Sequence, residues 1–290
     1  MSWRSVVVSS SAKLDYQMGY LVVRKDTTQK VHLSEVGLLL IETTAVSLTT
    51  ALLAELVKRK IKVIFCDEKR NPSSELIPYY GSHDASAKIR KQIAWTEEIK
   101  ATAWTEIVSE KIRKQRDNLL YFGCTEAVML QEYLEEIEYG DVTNREGHAA
   151  KVYFNALFGK DFSRTMDCNI NAALNYGYSI ILSTFNREIV ANGYLTQIGL
   201  FHDNMFNPYN LASDFMEPFR TIVDRMVREQ DRDVFDKEQK MQLVDLLNQE
   251  VRINGRNELV GNAIKIYCRS IFDALEEKDV SLIKFYNYEL

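Results

Sequence analysis

At 290 residues, with 46% hydrophobic and 27% charged residues, the chain exceeds ordinary single-domain size and predicts two modest domains, each burying its own core. No apolar run reaches the ~18 residues of a membrane span, and Arg4, Lys13 and Asp15 interrupt the stretch where a secretory leader would lie, so a cytoplasmic location is expected. Cys66, Cys124, Cys168 and Cys268 form no C-x-x-C pair, which argues against a zinc ribbon or a dithiol motif, and the net charge of -5 argues against nucleic acid only if charge is evenly spread.

From Trp3 to Pro78 the pattern is one of short strands: W-R-S-V-V-V-S, L-D-Y at Leu14, Y-L-V-V-R after Gly19, K-V-H-L, and G-L-L-L-I-E ending at Glu42. One helix interrupts them. Ser47 can cap a segment in which Leu48, Leu52, Leu56 and Val57 recur at helical spacing, and K-V-I-F-C follows as another strand. N-P-S-S (Asn71 to Ser74) and P-Y-Y-G (Pro78 to Gly81) mark a linker near residues 72–84, dividing the chain into 1–80 and 81–290.

Beyond the linker the helical period predominates. Helices are predicted near Ala85 to Leu120 (with a break), Thr125 to Glu138, Asn144 to Phe158, Asn169 to Thr184, Phe215 to Glu229, Lys237 to Ile253 and Glu258 to Glu277. The expected fold class is therefore α+β: a small N-terminal β-rich domain with one helix, then a larger all-helical domain. Two basic groups, Lys88, Arg90, Lys91 and Lys111, Arg113, Lys114, Arg116, read as solvated helix faces, with a nucleic-acid surface as the alternative.

Three segments carry candidate chemistry. In T-N-R-E-G-H-A-A-K-V-Y-F, Thr143 and Glu146 fit a capping box, yet Glu146 shares a stripe with Ala150, Tyr153 and Leu157, the face that should turn inward. An inward carboxylate needs a cation, a donor network or a metal opposite it. In D-C-N-I-N-A-A-L-N-Y-G-Y-S-I-I-L, Asn171, Asn175, Tyr176 and Tyr178 either support a site or join helices, and Gly177 allows close helix packing. In G-L-F-H-D-N-M-F-N-P-Y-N-L-A-S-D-F-M-E-P-F-R, a turn-rich loop can bring His202 beside Asp214 and Glu217, which share a polar line with Arg220 and Asp224. Pro218 cannot donate to the carbonyl of Asp214, so irregular backbone is expected near Glu217. Taken one at a time, a core histidine and a Glu217 to Arg220 ion pair explain these residues better than a site does.

Together, in this order and after a β-rich domain, the three segments resemble the CRISPR-associated integrase that inserts new spacers during adaptation, most like the branch found with type II systems. The resemblance covers essentially the whole chain. It implies Glu146, His202 and Glu217 as ligands of Mg2+ or Mn2+, with Asp214, Arg220 and Tyr176 near the active site, and it implies transesterification of DNA 3'-hydroxyl ends into a CRISPR repeat. It further implies double-stranded DNA (donor fragment and repeat or leader), a homodimer formed through the N-terminal domain, a small ferredoxin-like adaptation subunit and other type II CRISPR proteins as partners. Two alternatives stand beside it: a structure-selective nuclease on branched DNA, and a non-catalytic DNA-binding scaffold.

Overall fold

A computed structural model describes residues 4–79, 81–230 and 234–288. Trp3 and Tyr80, included in the strand and linker readings, lie outside the described residues. The chain forms two compact units, Met1–His83 and Asp84–Leu290.

The first unit holds β1 (Arg4–Val8), β2 (Ala12–Gln17), β3 (Tyr20–Arg24), β4 (Thr28–His32), β5 (Val36–Ile41), β6 (Val46–Leu48), α1 (Thr50–Lys58), β7 (Lys62–Cys66) and β8 (Pro72–Glu75). They make two four-stranded sheets, ordered β1-β5-β7-β8 and β4-β3-β2-β6. β1, β5 and β7 pair in parallel, which accounts for their nearly continuous apolar runs. Leu14, Leu21, Val36, Leu39, Leu52, Leu56 and Val63 are fully buried in one core, each worth about 1.5–3 kcal/mol of transfer free energy.

Two local readings need correction here. Ser47 does not cap α1; it pairs with Lys13 in β6, and Thr49 is the cap, its hydroxyl accepting from Leu52 N at 3.3 Å. The N-P-S-S stretch is not wholly linker, because Pro72 opens edge strand β8, where a missing N–H is tolerated.

The second unit comprises α2 (Ala85–Ile93), α3 (Glu97–Tyr121), α4 (Ala127–Glu135), α5 (Arg145–Phe158), α6 (Asn169–Ala191), α7 (Asn210–Phe215), α8 (Glu217–Glu229), α9 (Lys237–Asp245) and α10 (Val260–Glu277). The expected break in the first helix falls between Ile93 and Glu97, where Thr96 accepts from Ile99 N at 3.4 Å and starts α3. α3 is the central element, packed against α4, α5 and α8, with Trp104, Ile107, Val108, Ile112 and Leu119 buried. Gly177 on α6 lets α8 approach closely: a Cβ there would stand 2.4 Å from Val223 Cγ1.

This unit is mostly rather than wholly helical. β9 (Glu250–Ile253) and β10 (Arg256–Leu259) form a hairpin, and β11 (Tyr286–Asn287) pairs with β9. Asn254 and Gly255, with φ of 53° and 74°, make the two-residue turn, so the helix expected through Ile253 ends with α9. The Asn-Gly pair is the local signal for this hairpin, which the helical reading through Ile253 passed over. Among the described residues, no helix is long and apolar enough to cross a membrane.

Candidate active site

The site is built where α3, α5, α8 and the loop before α7 meet. The loop is fixed first. Asp214, fully buried on α7, accepts from Leu200 N at 2.6 Å, Phe201 N at 3.2 Å, His202 N at 3.1 Å and His202 Nδ1 at 2.5 Å. Gly199 makes this cradle possible, because a Cβ there would lie 2.3 Å from the His202 carbonyl oxygen and 2.7 Å from Asp214 Oδ2. With four donors satisfied, Asp214 orients the histidine. The Nδ1–H donates to it, so the neutral imidazole has its lone pair on Nε2. The bond to Asp214 raises the His202 pKa against the opposing effect of burial, and Glu217 and Glu146 add to the rise. Trp104 on α3 packs edge-on against the imidazole at 5.8 Å between centroids and stacks on Phe201 at 4.5 Å.

Pro218 acts as expected, separating α7 from α8 at Met216 and leaving Glu217 in the first turn of α8, where the helix dipole favours a carboxylate. Burial would raise the pKa of Glu217, but Arg220 and Lys111 overcome it and hold the group at about 2. Arg220 Nε donates to Glu217 Oε1 at 2.8 Å. Its guanidinium also lies over the Tyr178 ring, 4.7 Å from the centroid, and the Tyr178 hydroxyl donates to Asp224. Asp224 is raised to about 6, chiefly by burial.

Glu146 is not part of a capping box. Asn144 caps α5 from the left-handed region at φ 54°, accepting from Gly147 N at 3.3 Å, while Asp141 accepts from Arg145 N at 2.7 Å and Glu146 N at 3.1 Å. These caps free the Glu146 carboxylate, which pairs instead with Lys111.

Lys111 is the residue that sequence reasoning misplaced. It does not lie on a solvated face: its side chain is 8% exposed, and its ammonium bridges Glu146 Oε1 and Glu217 Oε2. Lys114 is buried too, paired with Glu110 at 3.0 Å. The signal available was the helical phase of α3, which places Lys111 in line with buried Val108, Ile107 and Trp104.

Tyr176, by contrast, is not brought to this cluster. Its ring packs 5.9 Å from Phe235 with Lys240 over it at 5.4 Å, and Tyr178 is the α6 tyrosine that faces Arg220. Asn171 and Asn175 tie the preceding loop to α6: Asn171 Nδ2 donates to Ser163 O and Met166 O at 2.8 Å, and Asn175 Oδ1 accepts from Arg164 Nη2 at 2.6 Å.

As the side chains stand, no three His, Cys, Asp or Glu residues among those described are placed to hold a metal ion. Two carboxylates nevertheless converge on one cation, the Lys111 ammonium. Glu217 Oε2 is buried, and the Lys111 ammonium is the cation it faces. Two oxygen donors and an oriented imidazole form a donor set suited to a divalent cation.

A family model described as CRISPR associated protein Cas1 matches residues 5–252. The chain is 34% identical over 229 residues to the CRISPR-associated endonuclease Cas1 of Neisseria meningitidis serogroup C (strain 8013), spanning 78% of this chain and 75% of that one. Among solved structures it resembles a casposase bound to integration product, with a TM-score of 0.76 and 18% identity over 96% of this chain and 93% of that one. It also resembles a chain of a Cas6-RT-Cas1--Cas2 complex, with a TM-score of 0.74, 18% identity and 97% coverage of this chain but 36% of that longer one.

Proposed function

Because the chain belongs to the CRISPR-associated Cas1 family, we propose that it is the integrase of CRISPR adaptation, a divalent-metal-dependent enzyme that joins 3'-hydroxyl ends of short DNA fragments to a CRISPR repeat. The observation that carries this reading is the convergence of Glu146 and Glu217 on one cation, beside a histidine that Asp214 aims. Mg2+ or Mn2+ bound by Glu146, Glu217 and His202 Nε2 would polarise the scissile phosphodiester and stabilise the charge that develops on its oxygens.

The chain's own residues do the positioning. Asp214 fixes the imidazole so that Nε2 is the free nitrogen, and Arg220 holds Glu217 by one oxygen, leaving the other to the cation position that Lys111 fills. In the reaction a bond forms from the incoming 3'-oxygen to phosphorus as the bond from phosphorus to the target strand's 3'-oxygen breaks, and the proton of the attacking hydroxyl ends on the released one. The number of phosphodiester bonds is conserved, so no nucleotide energy source is needed. With water in place of the hydroxyl, the same site is a nuclease.

The fold likeness to a casposase bound to integration product, and to a chain from an assembly named for both Cas1 and Cas2, supports double-stranded DNA and a small ferredoxin-like subunit as partners. A homodimer through the first unit and contacts with other type II CRISPR proteins belong to the same reading.

Glu217→Ala and His202→Ala are each expected to reduce strand transfer into a repeat-bearing plasmid by at least 100-fold while DNA binding in a gel-shift assay persists. Full activity in either variant overturns the assignment. Equal product from donors ending in 3'-hydroxyl and 3'-phosphate would point to the branched-DNA nuclease, because joining needs the free hydroxyl and hydrolysis does not.

A further inference from the structure

Lys111 enters the cluster from α3, and its ammonium sits between the two carboxylates assigned as metal ligands. We infer that Lys111 is an exchangeable counter-ion of the metal site: it holds the carboxylate pair together in the metal-free protein and must swing away for a divalent cation to bind. The inference rests on the metal-dependent reading above and adds a role for a residue outside the ligand set.

Four observations carry it. First, Glu146 and Glu217 project from different helices, and two carboxylates brought to one point repel each other unless a cation lies between them. Second, the two cations of the cluster are held differently. Arg220 Nε makes a directed bond to Glu217 Oε1 alone, whereas the Lys111 ammonium is shared between Glu217 Oε2 and Glu146 Oε1. A lysine is a compact point charge on a flexible four-carbon stem, suited to leaving one position for another; the guanidinium fork is suited to staying.

Third, the site has an entrance. The Glu146 side chain is 27% exposed while that of Glu217 is 5% exposed, so a hydrated ion reaches the pair from the Glu146 side. Fourth, the exchange changes the charge of the cluster. The carboxylates of Glu146, Glu217 and Asp214 outnumber the cations Lys111 and Arg220 by one, and a divalent cation in place of the ammonium cancels that excess. A negative site repels a phosphodiester, and a neutral one does not. Exchange at Lys111 thus links metal loading to the affinity of the site for a DNA backbone.

The test uses the full chain without DNA, and Mn2+ alone as probe. Lys111→Met keeps the stem and removes the competing charge. Titration followed by the electron paramagnetic resonance signal of free Mn2+ should show the variant binding about tenfold more tightly than wild type, on the order of one 1.4 kcal/mol step. In chelator, its thermal midpoint should fall below that of wild type and recover when Mn2+ is added. Equal Mn2+ affinity in the two chains overturns the exchange and leaves the metal site standing. No binding in either chain, or binding that survives Glu217→Gln, overturns the metal site itself.

A second measurement needs no variant. Acetylation of the wild-type chain read by mass spectrometry should label Lys111 poorly in chelator and severalfold more when Mn2+ is present. Labelling that stays low while Mn2+ binds would mean that the ammonium never leaves.

Discussion

In the proposed metal site Asp214 would act through His202, without touching the metal. Its two oxygens accept four hydrogen bonds, three of them from consecutive backbone amides and one from the His202 ring. An asparagine has only one acceptor oxygen and would set an N–H2 group against donors. Asp214→Asn is expected to lower Mn2+ affinity by about 10–100-fold, as removal of a group that orients a metal ligand does, and to destabilise the fold by about 2–4 kcal/mol. Calorimetric titration with Mn2+ together with thermal unfolding checks both, and unchanged affinity would remove Asp214 from its orienting role. The part played by Asp214 was half visible in the sequence. Its spacing from Glu217 put it on the polar line of a helix, but only the fold shows that Gly199 and the amides after it close around the carboxylate. Lys111 was less visible still. Charged residues in a helix are exposed by default, and although its helical phase aligns Lys111 with buried Trp104, Ile107 and Val108, its partners come from α5 and α8.

Among the elements, the clearest errors and successes have physical causes. The break near Pro218 and the close approach at Gly177 follow from backbone chemistry that is local and so could be read directly. The β9–β10 hairpin was missed because residues 237–253 also carry helical spacing, and the Asn254–Gly255 turn outweighs it once β11 supplies a third strand. α2 gives an element-scale prediction. Glu276 on α10 takes Lys88 at 2.6 Å and Lys91 at 2.7 Å from α2, and accepts from the Tyr194 hydroxyl. Burial opposes ionisation, but these donors win and lower the Glu276 pKa from 4.5 to about 2. A depressed carboxylate pKa stabilises the fold fully above the unfolded value and ceases to do so as pH falls through the folded one. Glu276→Gln should therefore lower the thermal midpoint at pH 7 by about 2–4 °C, for a contribution of about 1 kcal/mol after solvent screening. The gap should close as pH falls from 4.5 towards 2. A gap that is the same at pH 7 and pH 3 would show that the carboxylate charge is not its source.

At the scale of the whole molecule, the net charge of -5 does not describe how the charge is laid out. Part of the basic complement is turned inward: Lys111 and Lys114 are buried in ion pairs, and Lys88 and Lys91 serve Glu276. The division into a β-rich and a helical part was legible because short Val-, Ile- and Tyr-rich runs give way, past the Pro-, Gly- and Ser-rich linker, to a helical period of about 3.6. The proposed site is visible in the sequence only in combination. Each of Glu146, His202 and Glu217 has an ordinary structural explanation alone, and it is their arrival from α5, the Asp214-bound loop and α8 that favours the proposed centre over three satisfied side chains. The central claim is that a divalent cation binds there, and anomalous scattering from wild-type crystals soaked in Mn2+ tests it most directly. The account predicts one peak bounded by Glu146, Glu217 and His202 Nε2, with the Lys111 ammonium displaced from between the carboxylates. Crystals that diffract well and show no peak at that position, with Lys111 still bridging Glu146 and Glu217, would contradict it.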